Sequence, residues 1–247
     1  MINPTTFSEL ENLFKQRIES DKSEFGTDSV YLPNPEICLN PEFCLIAMEP
    51  SVGKRGIEGT RKDVKQGFRN FLYSEEDFIL HFCAYSYLCD NAFHYYITDV
   101  SKGAMRTLDA NNTLREFRYQ RWLPLLKDEL SLLGNPKTIA IGHVLERQLN
   151  NLSFKPDYTI LHYSWSNSRW IKKQYTEIAD YFTKTGLDNI EGEPRHFATV
   201  LMERIGYTIE MRDQRLERRF HRLSNWKKAL LVVYRHDFQR IRNGTIR

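Results

Sequence analysis

Long apolar runs are missing from this chain of 247 residues. The longest span six residues, at 43–48 and 229–234, whereas a membrane-crossing helix needs about 20, so no such helix is expected. Cysteine is scarce. Cys38, Cys44, Cys83 and Cys89 are the only four, and none is paired at the C-x2-C spacing with which zinc and iron–sulfur sites usually begin. The two C-x5-C spacings are read as core thiols, and neither a metal nor a cofactor is expected. With 12 glycines and 9 prolines, the chain is neither low-complexity nor collagen-like. The first twenty residues mix charges among the apolar positions, without the basic stretch and unbroken apolar block of a secretory leader. A reducing, cytoplasmic setting with free thiols is therefore the expectation.

What is present suits a folded domain. Hydrophobic residues make up 41% of the chain and charged residues 27%, enough apolar matter for a core at this length. The net charge of +3 hides an uneven distribution. Residues 201–247 hold 12 lysines and arginines against five acidic residues, while the first 200 residues carry a net −4. That basic tail, with Arg212, Arg215, Arg218, Arg219, Arg222, Lys227 and Lys228 among Phe220, His221 and Trp226, suits either a polyanion-binding surface or a solvated amphipathic helix docked on the domain.

Helix and strand patterns alternate over the first 185 residues. Phe7, Leu10, Leu13, Phe14 and Ile18 recur at helical spacing behind Thr6 or Ser8 as a cap. Short apolar runs at 43–48, 95–98, 137–141 and 158–161 read as buried strands. Helices are expected near 62–73, 75–89, 113–133 (divided or kinked at Pro124) and 143–150. Strands separated by helices predict an α/β fold, a four-stranded parallel sheet flanked by helices on both faces. The domain is drawn at 1–185, with 186–247 as a basic helical C-terminal extension packed on it.

Parallel sheets of this kind carry their functional groups beyond the carboxyl ends of the strands. Those ends read Met48-Glu49-Pro50-Ser51, Thr98-Asp99-Val100, Gly142-His143 and His162-Tyr163-Ser164. Two carboxylates and two histidines thus gather at one sheet edge, although His143 is read as a helix start without chemistry. Taken singly, Glu49 suits a surface turn, Asp99 a helix cap and His162 a structural histidine.

Together these ends resemble the uracil-DNA glycosylase superfamily. Ala47-Met48-Glu49-Pro50-Ser51 is similar to its first motif, G-x-[DN]-P. His162-Tyr163-Ser164-Trp165-Ser166-Asn167 is similar to the H-P-S-P-R-N form of its last. Between them, residues 96–102 resemble the Y-I-T-N-V-x-K run of the thermostable branch, and residues 136–142 its P-K-x-I strand ending in glycine. The order is the family's, over roughly residues 40–170. The four-cysteine cluster of that branch is not reproduced. Glu49 replaces its Asp or Asn, Ser51 replaces the tyrosine that closes the pyrimidine 5-position in strict uracil enzymes, and Asp99 replaces the asparagine that reads uracil.

The resemblance implies a monofunctional DNA glycosylase that flips a nucleotide and hydrolyses its glycosidic bond. Glu49 and His162 would be catalytic, Glu49 orienting or deprotonating water and His162 donating to O2 of the leaving base. Asp99, Ser51, Phe68 and Phe71 would hold the base. The two phenylalanines, at helical spacing, equally suit core packing. Lys54, Arg55, Tyr163, Ser164, Trp165, Asn167 and Arg169 would contact DNA, single- or double-stranded, with Tyr163 or Trp165 as a wedge. Trp165 equally suits packing beneath the tail.

An aspartate accepts from cytosine N4 and, when protonated, donates to N3. Cytosine therefore fits better than uracil, and Ser51 leaves room for a 5-substituent. Because unmodified cytosine fills a cell's own genome, the expected target is a 5-modified cytosine, such as the hydroxymethylated or glucosylated base of certain bacteriophages, and the expected role anti-phage defence by a monomer. Repair of uracil or oxidised pyrimidines, a non-catalytic DNA-binding module and a hydrolase acting on a nucleotide or glycan remain the other readings.

Overall fold

A computed structural model of the chain describes residues 4–111, 114–163, 192–206 and 223–245. It opens with α1 (Phe7–Phe25), started by a capping box in which the Thr6 hydroxyl accepts from the Glu9 amide while Glu9 accepts from the Thr6 amide. Then follow β1 (Val30–Tyr31), β2 (Phe43–Ala47), α2 (Gly56–Lys65), α3 (Glu75–Cys83), a π-helical turn (Ala84–Leu88), β3 (Tyr95–Asp99), β4 (Gly103–Ala104), α4 (Thr107–Ala110), α5 (Arg115–Leu132), β5 (Lys137–Ile141), α6 (His143–Asn151), β6 (Tyr158–Ile160), α7 (Gly192–Arg204) and α8 (Asn225–Arg242).

Four strands form one parallel sheet in the order β3-β2-β5-β6. Successive side chains of a strand point to opposite faces. Phe43, Leu45 and Ala47 accordingly enter one buried cluster, with residues of α3, α7 and α8, and Cys44 and Ile46 enter another, with residues of α1, α5 and α6. Covering both faces removes the polar alternation of a half-exposed sheet, and β2 accordingly is apolar throughout. The fold is α/β, a four-stranded parallel sheet between two layers of helices. Tyr234, Phe238 and Ile241 of α8 belong to the same cluster as the sheet. No described helix is long and apolar enough to cross a membrane.

Two expected boundaries change. Pro124 does not divide α5, which runs unbroken through it; the proline lies on the exposed face, where water can satisfy the carbonyl that its ring leaves unpaired. The helix expected over 62–73 instead begins at Gly56 and ends at Lys65. Gly67 at φ 90° and Phe71 at φ 56° turn residues 66–73 into a loop, a backbone no helix permits.

Beneath the carboxyl end of β3 lies a buried ion pair. The Lys102 ammonium donates to Glu129 of α5 at 2.7 Å, to the Asp99 carbonyl at 2.5 Å and to the Thr98 hydroxyl. Thr98 donates onward to Glu129 at 2.9 Å and accepts from Asn34 at 2.8 Å. Lys102 and Glu129 side chains are 2% and 1% exposed, so either charge left alone would be stranded away from water. Lys102→Met is expected to lower unfolding free energy in urea by about 3–5 kcal/mol, and adding Glu129→Leu to recover a large part of it. A single variant as stable as the parent would show that the pair is not coupled.

Candidate active site

The register pairs Ala47 of β2 with Asp99 of β3, and the chain leaves both strands at one level. Beyond these ends lies a cavity of about 550 Å³ lined by Glu49, Asp99, His162, Asn70, Phe71 and Tyr163, among others. Of the residues expected to act, Ser51, Arg55 and Phe68 line it too. Lys54 is exposed and does not. Ser164, Trp165, Asn167 and Arg169 lie outside the described residues, as do Arg212, Arg215, Arg218, Arg219, Arg222, Phe220 and His221 of the basic tail.

Glu49 follows β2 by two residues, and its side chain is only 5% exposed. One carboxylate oxygen accepts from the Arg115 guanidinium at 2.5 Å and the other from the Tyr119 hydroxyl. Arg115 and Tyr119 are four residues apart on α5 and so share a face. Arg115 also donates to Asn111 at 2.7 Å. The carboxylate is thereby fixed in direction by a charge-assisted bond and a hydroxyl, with lone pairs left for a third donor.

Asp99 ends β3 and is 2% exposed. Burial pushes its carboxyl up to about 8, against the pull of the Lys102 ammonium and a hydrogen bond from Asn70, with Glu49 and Glu129 adding to the push. At neutral pH the group therefore carries a proton for most of the time, a donor and an acceptor on one side chain.

His162 follows β6 by two residues. Burial pulls its imidazole down to about 4, so the ring is neutral at pH 7, and the Tyr163 ring stacks on it at 4.8 Å and 16°. Gly142 makes room beside it. Its φ of 104° is a glycine conformation, and a Cβ there would sit 3.0 Å from the His162 Cβ.

The aromatic residues form the remaining wall. Phe71 is 4% exposed and Phe68 half-buried. Arg55 lies over Phe68 at 4.6 Å and over Tyr73 at 4.2 Å, and pairs with Asp63 at 3.2 Å. Its charge is thus committed to the protein wall. Ser51, at the exposed rim, accepts from the Gly53 amide at 3.1 Å. No group of metal-binding side chains occurs among the described residues.

Asn70, Arg115, Tyr119 and Lys102 were not singled out from the sequence. Lys102 stands in the 96–102 run, and Arg115 and Tyr119 carry the i, i+4 spacing of one helix face. Asn70 has no local signal. Compared with protein families and with curated proteins, the chain matches none.

A fixed carboxylate, a neutral imidazole and a largely protonated carboxyl around one cavity are equipped for acid–base work on a bound small molecule or group. The acidity of Asp99 also sets a pH dependence of stability. Its carboxyl binds a proton in the folded chain up to about pH 8, but only up to its ordinary 3.8 once unfolded, so its contribution falls as pH rises between those values. Neutral, buried His81 and His162, both held near 4, act oppositely between about pH 4 and their ordinary 6.5. Subtracting the unfolding free energy of Asp99→Asn from that of the parent removes them. The difference is expected to fall by up to about 1.4 kcal/mol per pH unit from pH 5 to 8 and then to level off. A flat difference across that range would mean that Asp99 is ionised throughout.

Proposed function

We propose that this chain is a monofunctional DNA glycosylase of the uracil-DNA glycosylase type, its last helices a C-terminal extension of that fold, and that it excises a 5-modified cytosine and leaves an abasic site. The observation that carries this reading is the buried, proton-bearing Asp99 in one cavity with Glu49 and His162. Cytosine presents an acceptor at N3 and a donor at N4. A protonated carboxyl donates to the first and accepts from the second.

The chemistry follows from the groups in place. A water oxygen attacks C1′ of the flipped nucleotide as the C1′–N1 bond breaks and its electron pair stays on the base. Glu49, held by Arg115 and Tyr119, accepts a hydrogen bond from the water, takes its proton as the new bond forms, and opposes the positive charge developing on the sugar. Neutral His162 donates to O2, where negative charge gathers. Asp99 passes its proton to N3, so that cytosine, a poorer leaving group than uracil, departs neutral. A pyrimidine ring does not fill 550 Å³, and Ser51 at the rim leaves the 5-position open. These features favour a substituted base such as phage hydroxymethylated or glucosylated cytosine, and the proposal extends to a defence role, with the protein a cytoplasmic monomer acting on DNA.

A second reading has its own observation. The same protonated carboxyl can accept from uracil N3–H and donate to O4, which suits repair of uracil or oxidised pyrimidines. Abasic-site formation on DNAs holding uracil, hydroxymethyluracil, cytosine, 5-hydroxymethylcytosine or glucosylated cytosine separates the two. Release of the modified cytosines alone is expected, with Glu49→Gln slower by about 10²–10⁴ and His162→Ala by about 10²–10³. Release of uracil favours repair. Salt-dependent DNA binding with no base released favours a binding module on the same fold.

A further inference from the structure

The loop 66–73 is pinned on three sides before it reaches the cavity. The Asn70 amide donates to the Pro33 carbonyl at 2.8 Å. The Phe71 carbonyl lies 3.0 Å from His81 Nε2, and the Tyr95 hydroxyl 3.0 Å from His81 Nδ1. A carbonyl can only accept, so His81, buried and neutral, carries its proton on Nε2 and receives the Tyr95 hydroxyl at Nδ1. Arg55, stacked on Phe68 and Tyr73, closes the third side. From this fixed backbone Asn70, a buried residue, donates through its side-chain Nδ2 to Oδ2 of Asp99.

That bond gives the Asp99 carboxyl a direction. An amide N–H only donates, so Oδ2 is an acceptor and a proton on the group resides on Oδ1. The edges of cytosine and uracil at positions 3 and 4 are opposites, acceptor then donor in one and donor then acceptor in the other. A carboxyl free to carry its proton on either oxygen meets both edges equally well. One whose protonated oxygen is fixed meets only one of them.

We propose that Asn70 is the specificity-determining positioning residue of this site: its hydrogen bond to Oδ2 fixes the donor and acceptor ends of Asp99 and, with Oδ1 toward position 3 of the base and Oδ2 toward position 4, makes the cavity accept the cytosine edge and refuse the uracil edge. The inference rests on the glycosylase reading and adds to it a cavity-lining residue that acts on the base through Asp99. Ionisation of Asp99 would erase the distinction by presenting two acceptors; burial, with Glu49 and Glu129 nearby, holds the proton up to about pH 8 against the opposing pull of Lys102 and of the Asn70 bond itself.

The test uses two DNAs that differ only at that edge, one holding 5-hydroxymethylcytosine and the other 5-hydroxymethyluracil, together with their glucosylated forms. Single-turnover base release is measured at pH 7 for the parent, Asn70→Leu and Asn70→Ala, with thermal unfolding of each. The parent is expected to prefer the cytosine member of a pair. In Asn70→Leu the ratio of the two rates is expected to fall by about ten- to a hundredfold, because Asp99 can then turn its proton to either side. If the leucine does not fit the loop, Asn70→Ala, which keeps the backbone bond to Pro33, carries the comparison. An equal loss of both rates, with the ratio unchanged, overturns the inference and leaves Asn70 a structural residue. A parent that shows no preference, or prefers the uracil member, overturns it as well while leaving the glycosylase reading intact. A parent that releases no base from any of the four DNAs overturns the glycosylase reading and the inference with it.

Discussion

A lysine ammonium with no route to water holds the functional end of this fold together. Lys102 must satisfy its charge inside the protein, and it does so with the Glu129 carboxylate, the Thr98 hydroxyl and the Asp99 carbonyl. Each partner belongs to a different requirement. Glu129 ties the end of β3 to the long helix α5, Thr98 orders the last residues of the strand, and the Asp99 carbonyl fixes the backbone from which the cavity's buried carboxyl projects. A buried pair of this kind adds little net stability over an apolar pair, but once one partner is present the other is obligatory. The position of α5 relative to the sheet edge, and through it the position of Arg115 and Tyr119 against Glu49, follows from that obligation.

The chemistry of the cavity follows from the layers. With helices on both faces of the sheet, no strand face is left for water, and polar side chains can leave the sheet only at the strand ends. Glu49, Asp99 and His162 leave at that edge into one apolar-walled space, but with unlike surroundings. Glu49 meets a guanidinium and a phenol, Asp99 an amide at its carboxyl and an ammonium behind its carbonyl, and His162 the face of Tyr163. Two carboxyl groups of similar intrinsic acidity thereby differ in surroundings, and surroundings are what set such groups apart chemically.

The strands were legible as short runs rich in apolar residues, and β2 and β5 are also followed by a residue unsuited to continue them, Pro50 and Gly142. The loop 66–73 was not. Phe68, Phe71 and Leu72 recur at helical spacing, and spacing cannot tell a face turned to the core from one turned to a cavity; the positive φ of Gly67 and Phe71 decides against the helix. The partners of the site residues were equally hidden. Asn70 lies 29 positions from Asp99, and Arg115 and Tyr119 lie 66 and 70 from Glu49, separations over which periodicity carries no information.

The amino-acid sequence by itself determined the α/β class, the four strands and the gathering of Glu49, Asp99 and His162 at one sheet edge, because apolar runs and their breakers are local signals and a parallel sheet has only one carboxyl edge. The tertiary structure alone decided what those groups are chemically. Burial withdraws the Asp99 carboxyl and the His162 imidazole from water and leaves the imidazole neutral and the carboxyl largely protonated at pH 7, while an arginine and a tyrosine from a distant helix fix Glu49. Acidity and direction are properties of surroundings, and surroundings are made by residues far apart in the chain.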